Sequence, residues 1–121
     1  MVVDALSDVD ADRVFQALSD TTRRDILTRT IEREQSVSAL ASEYEMSFAA
    51  VQKHVAVLER AGLVSKQRQG REQIVHANPP TLRRAVALLD AYEQLWIQRA
   101  NQIADLLAGE RGERDGSHQD A

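Results

Sequence analysis

The chain has 121 residues, 43% of them hydrophobic and 28% charged, with a formal net charge of −4; this suits one small globular domain. There are no cysteines, which excludes disulfides, thiolate metal sites and thiol redox sensing. No apolar run approaches the roughly 18 residues needed to span a bilayer, and the opening MVVDALSDVDADR lacks the basic and apolar regions of a secretory signal, so a cytoplasmic protein with no membrane partner is expected.

Residues 1–7 read as a flexible N-terminus. Residues 8–18 (DVDADRVFQAL) fit a short helix, with Val14, Phe15 and Leu18 on one side and aspartates in the first turn, where the helix dipole favours them. Asp20 can cap the next helix, which runs through TTRRDILTRTIER with Ile26, Leu27, Thr30 and Ile31 inward. Arg23 and Arg24 oppose the dipole there, so a partner is expected, a carboxylate elsewhere. Arg23 reads as a structural ion pair rather than a DNA contact. Ser36 opens a third helix, VSALASEY, with Leu40 and Ala41 inward. After a break at Glu45–Met46, Ser47 caps a fourth helix running to about Ala61, and Gly62 ends it where a left-handed residue is commonly needed.

Two short segments with some strand character flank Gln69-Gly70, a hairpin signal, and Arg68 and Arg71 flank its tip. Pro79 and Pro80 precede a long helix from about Thr81 to Ala108, since Pro is well tolerated in a first helical turn. Along it Leu82, Ala85, Leu89, Tyr92, Trp96, Ile103 and Leu106 follow a heptad-like spacing, broken at Arg99. Residues 109–121 are polar and Gly-rich and are expected to be disordered.

The charge is segregated. Residues 1–20 carry −4, residues 21–46 carry −1 and residues 85–121 carry −4. Residues 47–84 hold Lys53, Arg60, Lys66, Arg68, Arg71, Arg83 and Arg84 against Glu59 and Glu72, a local +5. The plainer alternative is chance clustering on a solvated surface.

The fourth helix lies in this basic stretch. With Val51 set at zero and about 100° per residue, Val55 and Leu58 fall within about 40° of it and define an inner face. Ala49, Lys53, Ala56 and Arg60 fall on the opposite side, with Gln52 at the flank. Such a face has small residues and one or two long polar side chains, as suits a helix entering a major groove. Ala can touch a thymine methyl, Gln can pair with adenine, and Lys with guanine or a phosphate. Ser47, at the helix N-terminus, can hold a phosphate. Phe48 either touches a base or sugar or packs inward. His54 reads as a hydrogen-bonded packing residue. The third and fourth helices make a helix-turn-helix, and the Arg-flanked hairpin becomes its wing, suited to a phosphate or a narrow minor groove.

These pieces resemble the ArsR-type winged helix-turn-helix repressors. The resemblance lies in FQALSDTTRRDIL (15–27), VSALASEYEMS (37–47), VQKHVAVLERAGLVSKQRQGRE (51–72) and the long helix beyond, and covers roughly residues 10–107. It implies a mainly α fold with a small β-hairpin wing, in the order helix, helix, helix, helix, strand, strand, helix, over residues 8–108. It implies a homodimer on a palindromic operator in double-stranded DNA, usually acting as a repressor, with the outermost helices at the dimer interface: Val14, Phe15, Leu18, Leu89, Tyr92, Trp96, Ile103 and Leu106. Gln52 stands where Ser is more usual in the family, so the operator cannot be borrowed from relatives. Founding members sense metals through Cys near the third helix or Asp and His on the last. Here there is no Cys, and His54, His76 and His118 do not form a ligand set. No metal, no cofactor and no metal response at the familiar sites are expected; the effector is unknown. The competing reading is a winged-helix protein-interaction module. No catalytic arrangement or phosphate-cradling loop is present, so an enzyme is not expected.

Overall fold

The computed structural model describes residues 5–119, with side chains as far as Arg111. Four short helices begin at polar caps. Ser7 caps α1 (Asp8–Leu18), its hydroxyl oxygen accepting the Asp10 N–H at 3.1 Å. Asp20 caps α2 (Thr21–Glu32) through the Arg23 N–H at 3.0 Å. Ser36 caps α3 (Val37–Ala41) and Ser47 caps α4 (Phe48–Arg60), each accepting an N–H three residues on. Each cap satisfies one orphan N–H of its helix start. Leu6 packs against the core, so residues 5–7 are tied down rather than free; residues 1–4 lie outside the described residues.

Three strands form one antiparallel sheet in the order β1-β3-β2: β1 (Gln35–Ser36), β2 (Val64–Gln69) and β3 (Glu72–Ala77). The sequence predicts only the β2–β3 hairpin. β1 pairs Gln35 with Val75 and Ser36 with Ile74, and two polar residues have no periodicity that could announce a strand. The hairpin turn is also one residue later than expected. Gln69 pairs with Glu72, so Gly70 and Arg71 form the loop. Gly70 has φ +62° and Arg71 does not have positive φ, which matches a type II′ turn, with Gly at its first central position.

The core of the packed body comes from every element except β1. Val14, Ile26, Leu40, Val51, Val55, Leu58, Leu63, Val64 and Val75 are fully buried, each worth about 1.5–3 kcal/mol as a buried side chain. Ile31, expected inward, is 54% exposed. It borders a mostly apolar hollow lined also by Leu27, Leu63, Ala77, Asn78, Pro79 and Leu82. α3 is shorter than VSALASEY: Ser42 accepts no further helical turn and its N–H closes back on Ser38 O at 3.1 Å.

The chain divides after Val86. α5 (Pro79–Gln119) begins in the packed body, with Thr81 and Ala85 buried. From Ala87 onward almost every side chain as far as Arg111 is exposed. The backbone stays helical to Gln119, beyond the end expected near Ala108 and through most of the segment expected to be disordered. Glu and Arg in this stretch are good helix formers, and its glycines cost about 1 kcal/mol each relative to Ala, which weakens a helix without forbidding it. No helix among the described residues is long and apolar enough to cross a membrane.

Candidate nucleic-acid interface

α4 is held by one face. Val51, Val55 and Leu58 are fully buried, as the helical periodicity predicts. Its C-terminus closes by two backbone bonds, Leu63 N–H to Leu58 O at 3.0 Å and Gly62 N–H to Glu59 O at 2.9 Å. That is the Schellman arrangement, with Gly62 in the left-handed region at φ +77° and apolar Leu63 and Leu58 both in the core. Asn78 donates to Gly62 O at 3.1 Å, so the end of β3 is tied to the end of α4.

The outward face of α4 is largely open. Ser47, Ala49, Gln52, Lys53 and Arg60 are exposed and Ala56 is half-buried. Phe48 is 46% exposed, so the inward-packing alternative does not account for it. The Ser47 hydroxyl oxygen accepts the Ala50 N–H at 3.1 Å, which leaves its own proton free to donate. On the wing, Arg68 lies on β2 opposite Gln73 and Arg71 sits in the turn, both exposed. Among the described residues, Lys53, Arg60, Arg68 and Arg71 enter no ion pair, whereas Lys66 is taken by Glu59 at 3.5 Å, bridging wing and α4.

Arg23 has a different partner from the carboxylate expected. Its Nε donates to Ala17 O at 2.8 Å and its Nη2 to Gln16 O at 3.1 Å, while Arg24 Nη1 donates to Leu18 O at 2.8 Å. The two arginines therefore satisfy the orphan carbonyls ending α1. Arg23 Nη1 also lies 3.2 Å from His54 Nδ1. Only an unprotonated Nδ1 can receive that N–H, which places the His54 proton on Nε2. The Asp20 carboxylate, 3.9 Å from the same nitrogen, is too distant for a hydrogen bond. His54 is thus the half-buried packing residue expected. Asp20 itself is held below the usual carboxylate range, chiefly by the Arg23 backbone N–H.

One cluster is not anticipated by the sequence analysis. Tyr44, in the turn before α4, donates its hydroxyl to Asp25 at 2.5 Å, and Arg29 Nε donates to the same carboxylate oxygen at 2.8 Å. The Arg29 guanidinium lies 5.6 Å from the Tyr44 ring centre and 3.7 Å from Glu43. This pins the turn of the helix-turn-helix to α2. Burial, and then the bond to Asp25, push the Tyr44 hydroxyl up to about 12. The Tyr44 hydroxyl, followed by Arg29, holds Asp25 below its ordinary value. The Asp25–Arg29 i,i+4 spacing is the one sequence signal that points to part of it.

The expected dimer residues fall into two groups. Val14 is fully buried in the protomer's own core, which removes it from any interface; a position on the same helical face as Phe15 and Leu18 does not say how deep each sits. Phe15 and Leu18 are half-buried, and Leu18 packs against the core. Leu89, Tyr92, Trp96, Ile103 and Leu106 are all exposed, as are Leu95 and Leu107, which the heptad reading passed over. Among the described residues no group of three His, Asp or Glu is placed to hold a metal; His118 lies outside the described side chains.

Comparison with known proteins agrees with this geometry. A helix-turn-helix domain family matches residues 18–67, which hold α2, α3, α4 and the start of the wing. An HTH-type transcriptional regulator of Mycobacterium tuberculosis, Rv2034, is 32% identical over 99 residues, covering 82% of this chain and 90% of its own. The solved ArsR-like transcriptional regulator from Rhodococcus sp. RHA1 is 34% identical with a TM-score of 0.73, over 81% of this chain and 92% of its own. The chain belongs to the ArsR family of helix-turn-helix transcriptional regulators. A third structure, the homodimeric winged helix-turn-helix DNA-binding domain Mb0332 of Mycobacterium bovis, shares the fold at 23% identity and a TM-score of 0.59, over 74% of this chain and 90% of its own. This ArsR-family protein is accordingly a DNA-binding transcriptional regulator and not an enzyme.

Proposed function

We propose that the protein is a homodimeric repressor that binds a palindromic operator and does not respond to metal at the family's familiar sites. The observation that carries the reading is the outer face of α4, where Gln52 and Lys53 stand exposed among Ala49 and Ala56 with no competing ion pair. In this reading Gln52 and Lys53 meet base edges, and Ser47, Arg60, Arg68 and Arg71 hold phosphates. Phe48 lies against a sugar or base at the helix entrance. A two-fold dimer sets its two α4 helices in successive major grooves, about 34 Å apart. The exposed stripe of α5 supports the dimer, because contiguous apolar surface of that kind marks an interaction site; the homodimeric state of the Mycobacterium bovis fold neighbour points the same way.

The test is fluorescence anisotropy of the purified protein with DNA from upstream of its own gene, at two salt concentrations and against a scrambled duplex. Tight, salt-sensitive and sequence-selective binding is expected. Lys53→Ala should cost about 1–3 kcal/mol on the operator if Lys53 reads a base, and an equal loss on every sequence would make it a phosphate contact only. Added Zn²⁺ or chelator should leave binding unchanged. Binding indifferent to sequence, confirmed by failure to select any site from random duplexes, would move the protein to the interaction-module reading.

A further inference from the structure

The hollow bordered by Ile31 has a volume of about 180 Å³. Six apolar residues and one polar residue, Asn78, line it, and none of them is charged. Leu63, 1% exposed, lies at its floor and Ile31, 54% exposed, at its mouth. The floor offers water few partners. The Leu63 N–H is spent on Leu58 O and the Asn78 N–H on Leu63 O, and Pro79 has no N–H to give. The Asn78 side chain keeps one amide hydrogen and one lone pair free, since its Nδ2 donates to Gly62 O at 3.1 Å and its Oδ1 accepts from Ser65 Oγ at 3.4 Å. A water needs about two to four polar partners to be well held, and displacing a poorly held one by an apolar group gains affinity.

We infer that this hollow is an effector site for a small, uncharged organic molecule of about one aromatic ring, with at most one hydrogen-bonding group, which meets Asn78. The volume sets the size. An apolar cavity of about 150 Å³ in another protein holds one benzene, whereas drug-sized ligands fill pockets of about 300 Å³ or more. The lining sets the charge. A carboxylate or an ammonium would meet no counter-charge among the lining residues and would lose its hydration without return. A protein partner fits less well, because a specific interface takes about 800 Å² from each side and this is a concavity that one ring fills.

The position couples such a molecule to the DNA-binding surface. Leu63 and Asn78 tie the end of α4 to the end of β3: Leu63 O accepts the Asn78 N–H at 2.9 Å, and Gly62 O accepts the Asn78 amide. Pro79 and Leu82 lie in the first turn of α5. Leu27 and Ile31 belong to α2, whose Asp25 and Arg29 hold Tyr44 in the turn before α4. A molecule seated in the hollow therefore touches the residues that fix the far end of the recognition helix and the helix that fixes its near end. It acts on DNA binding to the extent that the hollow differs between free and DNA-bound forms, and the effect is reciprocal. This coupling rests on the operator-binding reading; the binding site itself does not.

Fluorine NMR of the full chain with 4-fluorophenol tests the site, with 4-fluorobenzoate as the control that is charged at about pH 7 where the phenol is not. Fluorophenol is expected to bind saturably with a dissociation constant of about 1 mM or lower, as its few non-hydrogen atoms allow, and fluorobenzoate at least tenfold more weakly. Ala77→Leu, which takes up space in the hollow, and Ile31→Asp, which sets a carboxylate at its mouth, should each weaken fluorophenol at least tenfold. They lie on different elements, and circular dichroism shows whether each still folds. Equal binding of the two probes, or binding unchanged in a folded variant of either kind, would overturn the site. So would the absence of saturable binding, or a probe that binds only as sedimentation shows a dimer dissociating, which would give the hollow to a second copy. Saturating fluorophenol is expected to change operator affinity at least threefold, and operator DNA to change fluorophenol affinity by the same factor. Two unchanged affinities would overturn the coupling to α4. A protein that selects no operator yet binds fluorophenol would overturn the operator reading, and the coupling with it, while the site stands.

Discussion

Gly62→Ala tests the joint between recognition helix and wing. Gly62 has φ +77°, a conformation that costs an L-residue roughly 1–2 kcal/mol. A Cβ there would also lie 3.2 Å from Thr81 Oγ1, and Thr81 is buried in the first turn of α5, so it has little room to yield. Overpacking of that kind adds about 1 kcal/mol at the low end of its range. Gly70→Ala is the control: φ is +62° and nothing lies within 4 Å of the added carbon, so only the backbone cost of about 1–2 kcal/mol applies. Gly62→Ala should therefore cost about 2–3 kcal/mol, falling to about 1–2 in a Thr81→Ala background, a coupling of roughly 1 kcal/mol. Urea denaturation followed by circular dichroism measures all four variants, at one fixed protein concentration because dimerisation would make stability depend on it. The reasoning fails if Gly62→Ala is no worse than Gly70→Ala, or if Thr81→Ala leaves its cost unchanged.

Three further outcomes are expected. Arg23→Ala, which takes the guanidinium donor from Ala17 O and one of three donors from Gln16 O, should lower stability by about 1–2 kcal/mol, and Arg23→Lys should recover only part of it, because an ammonium cannot reproduce the fork; full recovery in urea melts would make the guanidinium geometry irrelevant. The Tyr44 hydroxyl, raised to about 12 when folded against an ordinary 10.0, contributes stability that is complete below pH 10 and is lost as pH rises from 10 toward 12; Tyr44→Phe should flatten that limb of a stability–pH curve, and an unaltered limb counts against the Asp25 contact. Arg68→Ala and Arg71→Ala should each reduce the slope of log affinity against log salt by roughly 1 while leaving operator preference intact; a changed preference would mean that the wing reads bases.

What could be read from the sequence was whatever repeats at short range. The α4 inner face follows from Val51, Val55 and Leu58 at helical spacing, and the caps at Asp20, Ser36 and Ser47 each need only one residue type just before an apolar run. What escaped depends on distant partners. β1 exists because Gln35 and Ser36 meet Val75 and Ile74, and the Tyr44–Asp25 bond joins residues nineteen positions apart. Arg23 misled for a related reason: a cation at a helix start demands a partner, but the sequence does not show that carbonyls ending the previous helix are the nearest acceptors. Depth was the other blind spot. Val14 and Leu18 share a face, yet one is fully buried and the other only half, because helical phase gives direction and not distance from the centre.

The net charge of −4 is no obstacle to binding a polyanion. At physiological ionic strength exposed charges more than about 8 Å apart are largely screened from one another, so the quantity that acts on a phosphate is the local charge. Among residues 47–71, Lys66 is spent on Glu59, and Lys53, Arg60, Arg68 and Arg71 remain free of ion pairs among the described residues. They lie on two elements that the structure ties together twice, through Lys66–Glu59 and through Asn78 to Gly62 O. Three of the five acids of the first twenty residues are spent otherwise: Asp8 and Asp10 on the dipole of α1 and Asp20 as the cap of α2. Free cations on a braced helix and wing supply affinity, and the bare alanine face between them lets the backbone come close enough for Gln52 and Lys53 to discriminate.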